Sequence, residues 1–125
     1  MKKIFLKEEK IYDAIIDYCS IGNKNELSVE KSLYIYDDEI VLDFYLLETI
    51  EKDKIRWTSK YALTKLDLKD AFNYYLEKRG YELDNFKYVG GIRRVGYYID
   101  DDTPMFEGIE LAVKEKSLKR IKKWK

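Results

Sequence analysis

The stretch from residue 92 to residue 116 constrains the fold of this 125-residue chain most, because apolar and polar side chains alternate along it. Successive side chains of a strand point to opposite sides, so an alternating set marks one buried face. Two such sets occur here: Val95, Tyr97 and Ile99 form the first, and Ile109, Leu111 and Val113 form the second. We therefore predict a β-hairpin that lines the core.

The segment between the two sets is Asp100-Asp101-Asp102-Thr103-Pro104, which contains the only proline of the chain. Aspartate and proline are typical of turns, so we expect three carboxylates to be displayed at the hairpin end. The segment lacks the glycine and the distal glutamate of an EF-hand loop. We expect neither a metal ion nor another cofactor here.

Two segments have the periodicity of amphipathic helices. Residues 8 to 19 place Ile11 and Ile15 on one face, and residues 67 to 79 form the second helix. We predict Asp67 as the N-cap of that second helix and Gly80 as the residue that ends it. A short basic helix is expected after residue 117.

The remaining apolar runs predict short strands, and the order of elements indicates an α+β fold. We expect one domain, residues 1 to 125, with a largely antiparallel sheet of five or six strands and two main helices packed on it. The predicted strands cover residues 33–36, 40–47, 55–61 and 86–89, with a loop at 20–31 and turns at Asp37-Asp38 and Gly90-Gly91.

The formal net charge of zero conceals an uneven distribution. Residues 114 to 125 form a basic tail with seven basic residues and one acid, so the rest of the chain carries a net charge of −6. An acidic body favours a basic protein partner and disfavours nucleic acid. No run of about 18 apolar residues is present, which predicts no membrane span and no membrane partner. The N-terminus lacks the pattern of a signal peptide, so we expect a cytoplasmic location.

The chain contains no histidine and one cysteine, Cys19. Nucleophile systems that depend on histidine, imidazole metal sites and internal disulfides are therefore excluded by composition. A carboxylate-dependent enzyme, such as a metal-dependent nuclease or a glycosidase, remains an alternative. Its activity would be lost when Asp43 or Glu110 is changed to alanine. We favour a protein that is not an enzyme and acts by binding.

The candidate binding residues are two acidic turns and two aromatic side chains. Charged turns set the rate of encounter with a basic partner, whereas aromatic side chains supply most of the binding energy at an interface. We expect both turns to follow strands of one sheet and to form one acidic rim. The candidates are Asp37, Asp38 and Glu39 in one turn, Asp100, Asp101 and Asp102 in the other, and the outward-facing Tyr45 and Tyr98.

The segment Tyr97-Tyr98-Ile99-Asp100 and the following DTPMFEGIEL resemble small cytoplasmic immunity proteins of contact-dependent inhibition and other polymorphic toxin systems. The resemblance rests on size, strands rich in tyrosine and aspartate, the absence of histidine and the acidic body. It implies an inhibitor that masks the basic active site of a nuclease-type toxin. Phage-encoded inhibitors of bacterial defence nucleases share these traits, so that function is the alternative.

Overall fold

The computed structural model describes residues 2–94 and 102–116 and has an α+β fold, as predicted. Within these ranges it contains six strands and two helices: β1 (Lys2–Leu6), α1 (Glu8–Cys19), β2 (Glu26–Tyr36), β3 (Glu39–Lys52), β4 (Ile55–Ala62), α2 (Lys65–Glu77), β5 (Tyr81–Arg94) and β6 (Asp102–Glu115). Neither helix is long and apolar enough to cross a membrane in this part of the chain.

The strands form two separate three-stranded sheets, and this corrects the expectation of one sheet of five or six strands. The first sheet has the order β1-β6-β5 and the second has the order β2-β3-β4. All pairings are antiparallel, as predicted. The Asp37-Asp38 turn follows β2 of the second sheet, whereas Asp102, the described residue of the other predicted acidic turn, begins β6 of the first sheet.

The predicted hairpin exists, but its first arm begins earlier in the chain. β5 pairs with β6 so that Phe86 lies opposite Leu111, and the pairing continues to Arg94 opposite Asp102. Gly90-Gly91 lies inside β5 and does not form a turn, and Pro104 lies inside β6 opposite Ile92. The predicted first set, residues 95 to 99, falls outside the described residues.

Gly108 explains how β1 fits against β6. Its backbone φ is 157°, and a Cβ atom there would collide with the carbonyl oxygen of Leu6. Because glycine has no Cβ, β1 can approach closely and pair Leu6 with Ile109. The short, lysine-rich β1 was not anticipated from the sequence.

The helices agree with the periodicity, with corrections at both ends of α2. α1 has the predicted bounds and buries Ile11 and Ile15. α2 runs from Lys65 to Glu77 and its C-cap is Lys78, so it ends two residues earlier than predicted, and Gly80, with a φ of 81°, lies in the turn that follows. Its N-cap is Thr64 rather than Asp67. The Thr64 hydroxyl accepts the Asp67 N–H at 3.1 Å, while the Asp67 carboxylate accepts the Thr64 N–H at 2.8 Å. Asp67 therefore completes a capping box at position N3.

One cluster of buried apolar side chains connects the helices with the first sheet. Phe72 of α2 packs edge to face on Phe86 of β5 at 5.1 Å between ring centroids. Among described residues of the second sheet, only Phe44 is fully buried. Its ring meets Tyr12 of α1 at 6.2 Å and Phe106 of β6 at 6.3 Å. Phe44 thus joins the second sheet to the rest of the molecule.

Candidate binding surface

The predicted turn at Asp37-Asp38 joins β2 to β3. Tyr36 pairs with Glu39, so the loop between the strands has two residues. Asp37 and Asp38 both have positive φ, 50° and 61°. Two central residues with positive φ match a type I′ turn, whose twist suits paired strands and which tolerates aspartate. The turn therefore holds its two carboxylates at a defined end of the hairpin.

The carboxylates at this turn are available to a partner. Asp37, Asp38 and Glu39 are all exposed. None of them makes an ion pair within residues 2–94 and 102–116. Other acids nearby in sequence are engaged, since Glu30 contacts Lys60 at 3.0 Å. The turn thus concentrates negative charge that no cation in the described part of the chain neutralises.

Two exposed tyrosines adjoin this turn. Tyr34 lies opposite Val41 and Tyr36 opposite Glu39, so all four share the face of the second sheet that points away from Phe44, here called the outer face. Tyr36 is 67% exposed and Tyr34 is 44% exposed. We call Tyr34, Tyr36, Asp37, Asp38 and Glu39 the turn surface. Sequence analysis missed both tyrosines, although their alternate spacing immediately before an acidic turn was a usable signal.

Tyr45 also lies on the outer face, as expected, but it is already engaged. It is half-buried, and the Lys60 ammonium lies 4.5 Å from its ring centroid. The same lysine pairs with Glu30, which lies directly opposite Tyr45. Because these contacts cover the ring, Tyr45 offers less free surface than Tyr34 or Tyr36.

The other candidate residues fall on the second predicted turn. Asp102 begins β6, opposite Arg94. Asp100, Asp101 and Tyr98 lie outside the described residues, as does the expected helix after residue 117. The structure therefore brings together the residues of the first turn only.

Asp43 and Glu110 are the residues whose substitution would test for a carboxylate-dependent enzyme, and they lie on different sheets. Asp43 is half-buried on β3 opposite Ser32. Glu110 on β6 contacts the ammonium groups of Lys3 at 3.4 Å and Lys87 at 3.6 Å. In the described part of the chain, no three acidic or cysteine side chains are grouped so that they could hold a metal ion.

A cavity of about 400 Å³ opens between the two sheets and the start of α2. Most of its lining is apolar, and its polar lining residues are Asp43, Lys65, Lys87 and Tyr88. The buried Tyr88 hydroxyl makes no hydrogen bond of standard geometry in the described ranges. Burial first, and then the charge of Glu107, raises the pKa of this phenol, whereas the backbone of Gly91 lowers it. The Tyr88 ring stacks on Phe106 at 5.6 Å. The cavity is therefore lined mainly by apolar side chains, with four polar residues among them.

Cys19 is a free thiol at the end of α1. It is half-buried against the core, and burial raises the pKa of the thiol. A raised pKa disfavours the reactive thiolate. Cys19 therefore serves as a small apolar side chain.

Comparison of the chain with protein-family models, curated proteins and solved structures finds no match.

Proposed function

We propose that this protein is a non-catalytic inhibitor that binds the basic active site of a cognate nuclease-type toxin through the turn surface, in the manner of an immunity protein. The observation that carries the proposal is the conjunction, at the end of one hairpin, of two exposed tyrosines with three carboxylates that have no ion-pair partner among the described residues. The net charge of −6 outside the basic tail supports a partner of opposite charge.

The two chemistries of the turn surface have different roles in this proposal. Exposed ion pairs contribute only about 0–1 kcal/mol each, so the carboxylates chiefly accelerate and orient the encounter. Tyrosines bury large apolar area with little loss of conformational freedom, and they dominate many interfaces. Tyr36, the more exposed of the pair, is the expected anchor that slows dissociation.

The test compares two variants that change the net charge equally. In the first, Asp37→Asn and Asp38→Asn neutralise the turn, and asparagine tolerates the positive φ of both positions. In the control, Glu51→Gln and Asp53→Asn neutralise two acids at the opposite end of β3, where neither has an ion pair with another described residue. Each protein is used as bait in extracts of its native host, and retained proteins are quantified by mass spectrometry.

We expect the unmodified chain and the control to retain the same basic protein and the turn variant to lose it. Kinetics with that purified partner should then show an association rate about tenfold lower for the turn variant and a weaker salt dependence. Tyr36→Ala should instead raise the dissociation rate. Equal retention by both double variants would place the binding site elsewhere.

An assay for activity tests the non-catalytic part of the proposal. The purified protein is incubated with nucleic acid or glycoside substrates in the presence of Mg²⁺. We expect no turnover above background. Turnover that disappears in Asp43→Ala or Glu110→Ala would show a carboxylate-dependent enzyme and overturn the proposal.

A further inference from the structure

β4 is an edge strand with an open side. It pairs with β3 over eight residues without a register shift, and no other strand of the described ranges pairs with it. It contains neither proline nor glycine. An edge of this kind presents a row of backbone N–H and C=O groups to any strand that can align with it.

The side chains of β4 leave the open side unprotected. Natural proteins commonly place charged side chains along an edge to prevent pairing. Here both cations are directed across β3, because Arg56 contacts Glu26 and Lys60 contacts Glu30 of β2, each at 3.0 Å. They therefore point away from the edge.

The opposite face of β4 carries exposed apolar side chains. Trp57, Ser59 and Tyr61 lie opposite Ile50, Glu48 and Leu46 of β3, so they share the face of Phe44, here called the inner face. The core does not extend this far, and Trp57 is 43% and Tyr61 48% exposed. The edge thus combines free backbone groups with two uncovered aromatic rings.

We propose that β4 pairs antiparallel with β4 of a second copy of this chain, around a two-fold axis at Ser59, to form a continuous six-stranded sheet. In this register Trp57 lies opposite Tyr61 of the second copy, and the same pair recurs on the other side of the axis. Thr58 lies opposite Lys60 and Arg56 opposite Ala62, so no like charges face each other. Aromatic pairs of this kind stabilise antiparallel strands.

Charge and strand geometry select this register among the alternatives. A shift of one residue would place inner-face side chains opposite outer-face ones, which a shared sheet does not permit. A shift of two in one direction places Arg56 opposite Lys60, and in the other it places Lys60 opposite itself. Both alternatives oppose like charges directly and are unfavourable. A residue on the two-fold axis faces its own copy, and Ser59 is small and uncharged, so it can do this without a steric clash or charge repulsion.

The turn surface stays free in this dimer, so the inference is independent of the proposed function. β4 pairs with residues 45 to 52 of β3, whereas the Asp37-Asp38 turn lies at the other end of that strand. A single strand pair buries less than a standard interface, so we expect a dissociation constant on the order of 10 μM.

The test measures mass against concentration for the full chain by sedimentation equilibrium. We expect the 15.1 kDa monomer below about 1 μM and mostly dimer above about 100 μM. Ser59→Lys places two ammonium groups at the axis and should weaken the dimer at least tenfold. In the monomer the new lysine lies opposite Glu48, which favours folding. The control Ser28→Lys adds the same charge at the exposed edge strand β2 and should leave the dimer unchanged.

Disulfide trapping checks the register without relying on a charged variant. Ser59→Cys combined with Cys19→Ala places two thiols opposite each other, within the Cα separation that a disulfide needs. Mild oxidation should trap the dimer, whereas Ser28→Cys with Cys19→Ala should not. A chain that remains monomeric throughout the concentration range would overturn the proposal. So would a dimer that survives Ser59→Lys and is not trapped by Ser59→Cys.

Discussion

At the scale of single residues, the most informative contact is that of Glu8 at the start of α1. Its carboxylate accepts a hydrogen bond from the Tyr12 hydroxyl at 2.6 Å and contacts the Lys31 ammonium at 3.0 Å. These contacts, the Tyr12 hydrogen bond first, lower the pKa of Glu8 below its ordinary value of 4.5. The folded state therefore favours the ionised carboxylate of Glu8 more than the unfolded state does. Its stabilisation is present above the ordinary pKa and is lost as pH falls through the folded-state pKa.

We predict that Glu8→Gln lowers the free energy of unfolding by about 0.5–1 kcal/mol at pH 7, because the carboxylate is partly exposed and screened. The difference from the unmodified chain should shrink as the pH approaches 3. Urea unfolding at pH 7, 5, 4 and 3 measures it. Glu9→Gln removes a charge from the same helical turn, but Glu9 has no hydrogen-bond or ion-pair partner within the described ranges, so it controls for the helix dipole. A Glu8→Gln deficit that is the same at every pH would contradict the prediction.

At the scale of elements, the start of α2 depends on the reciprocal hydrogen bonds of Thr64 and Asp67. Thr64→Ala leaves the Asp67 N–H without its acceptor, so we predict a loss of about 1 kcal/mol in the free energy of unfolding. Chemical denaturation at neutral pH measures this loss. Thr64→Ser keeps the hydroxyl oxygen and should retain most of the stability. If the alanine and serine variants were equally stable, the capping box would not support the helix.

At the scale of the whole molecule, the two sheets differ in how firmly they are held. The first sheet shares the buried cluster with both helices, whereas the second contributes Phe44 as its one fully buried side chain among described residues. Regions with few buried contacts open with lower free energies than the core. The second sheet is therefore expected to open before the first.

We predict that Phe44→Leu lowers the free energy of unfolding by about 1–3 kcal/mol and accelerates hydrogen exchange in both sheets, because its contacts are lost when the second sheet opens alone and also when the whole chain unfolds. Phe72→Leu should accelerate exchange mainly in β1, β5 and β6, because the contact of Phe72 with Phe86 persists while only the second sheet is open. Native-state hydrogen exchange with mass spectrometry resolves the two patterns. The dimer proposed above would slow exchange in β4 at high protein concentration, so the comparison is made at about 1 μM, where monomer is expected. Equal acceleration in both sheets by Phe72→Leu would contradict separate opening.

Features that depend on neighbouring residues were predicted correctly from the amino-acid sequence. Helical spacing of apolar residues predicted α1 with its bounds, and consecutive aspartates after an apolar run predicted the Asp37-Asp38 turn. Alternation in β3 correctly separated Phe44 from Tyr45 on opposite faces. These features were predictable because each depends on backbone preferences and side-chain directions over a few residues.

The pairing of the strands, in contrast, depends on contacts between distant parts of the chain. Alternation assigns a face to a strand but names no partner, so the division into two sheets was not predictable. β1 forms because β6, some hundred residues later, offers it an edge beside Gly108. The polar residues from Glu26 onward, which we expected in a loop, form the start of β2 because they pair with β3 from Thr49. Gly90-Gly91 reads locally as a turn, yet pairing with Phe106 and Met105 holds it extended. Contacts between distant segments stabilise these strands, and the conformational preferences of neighbouring residues do not predict such contacts.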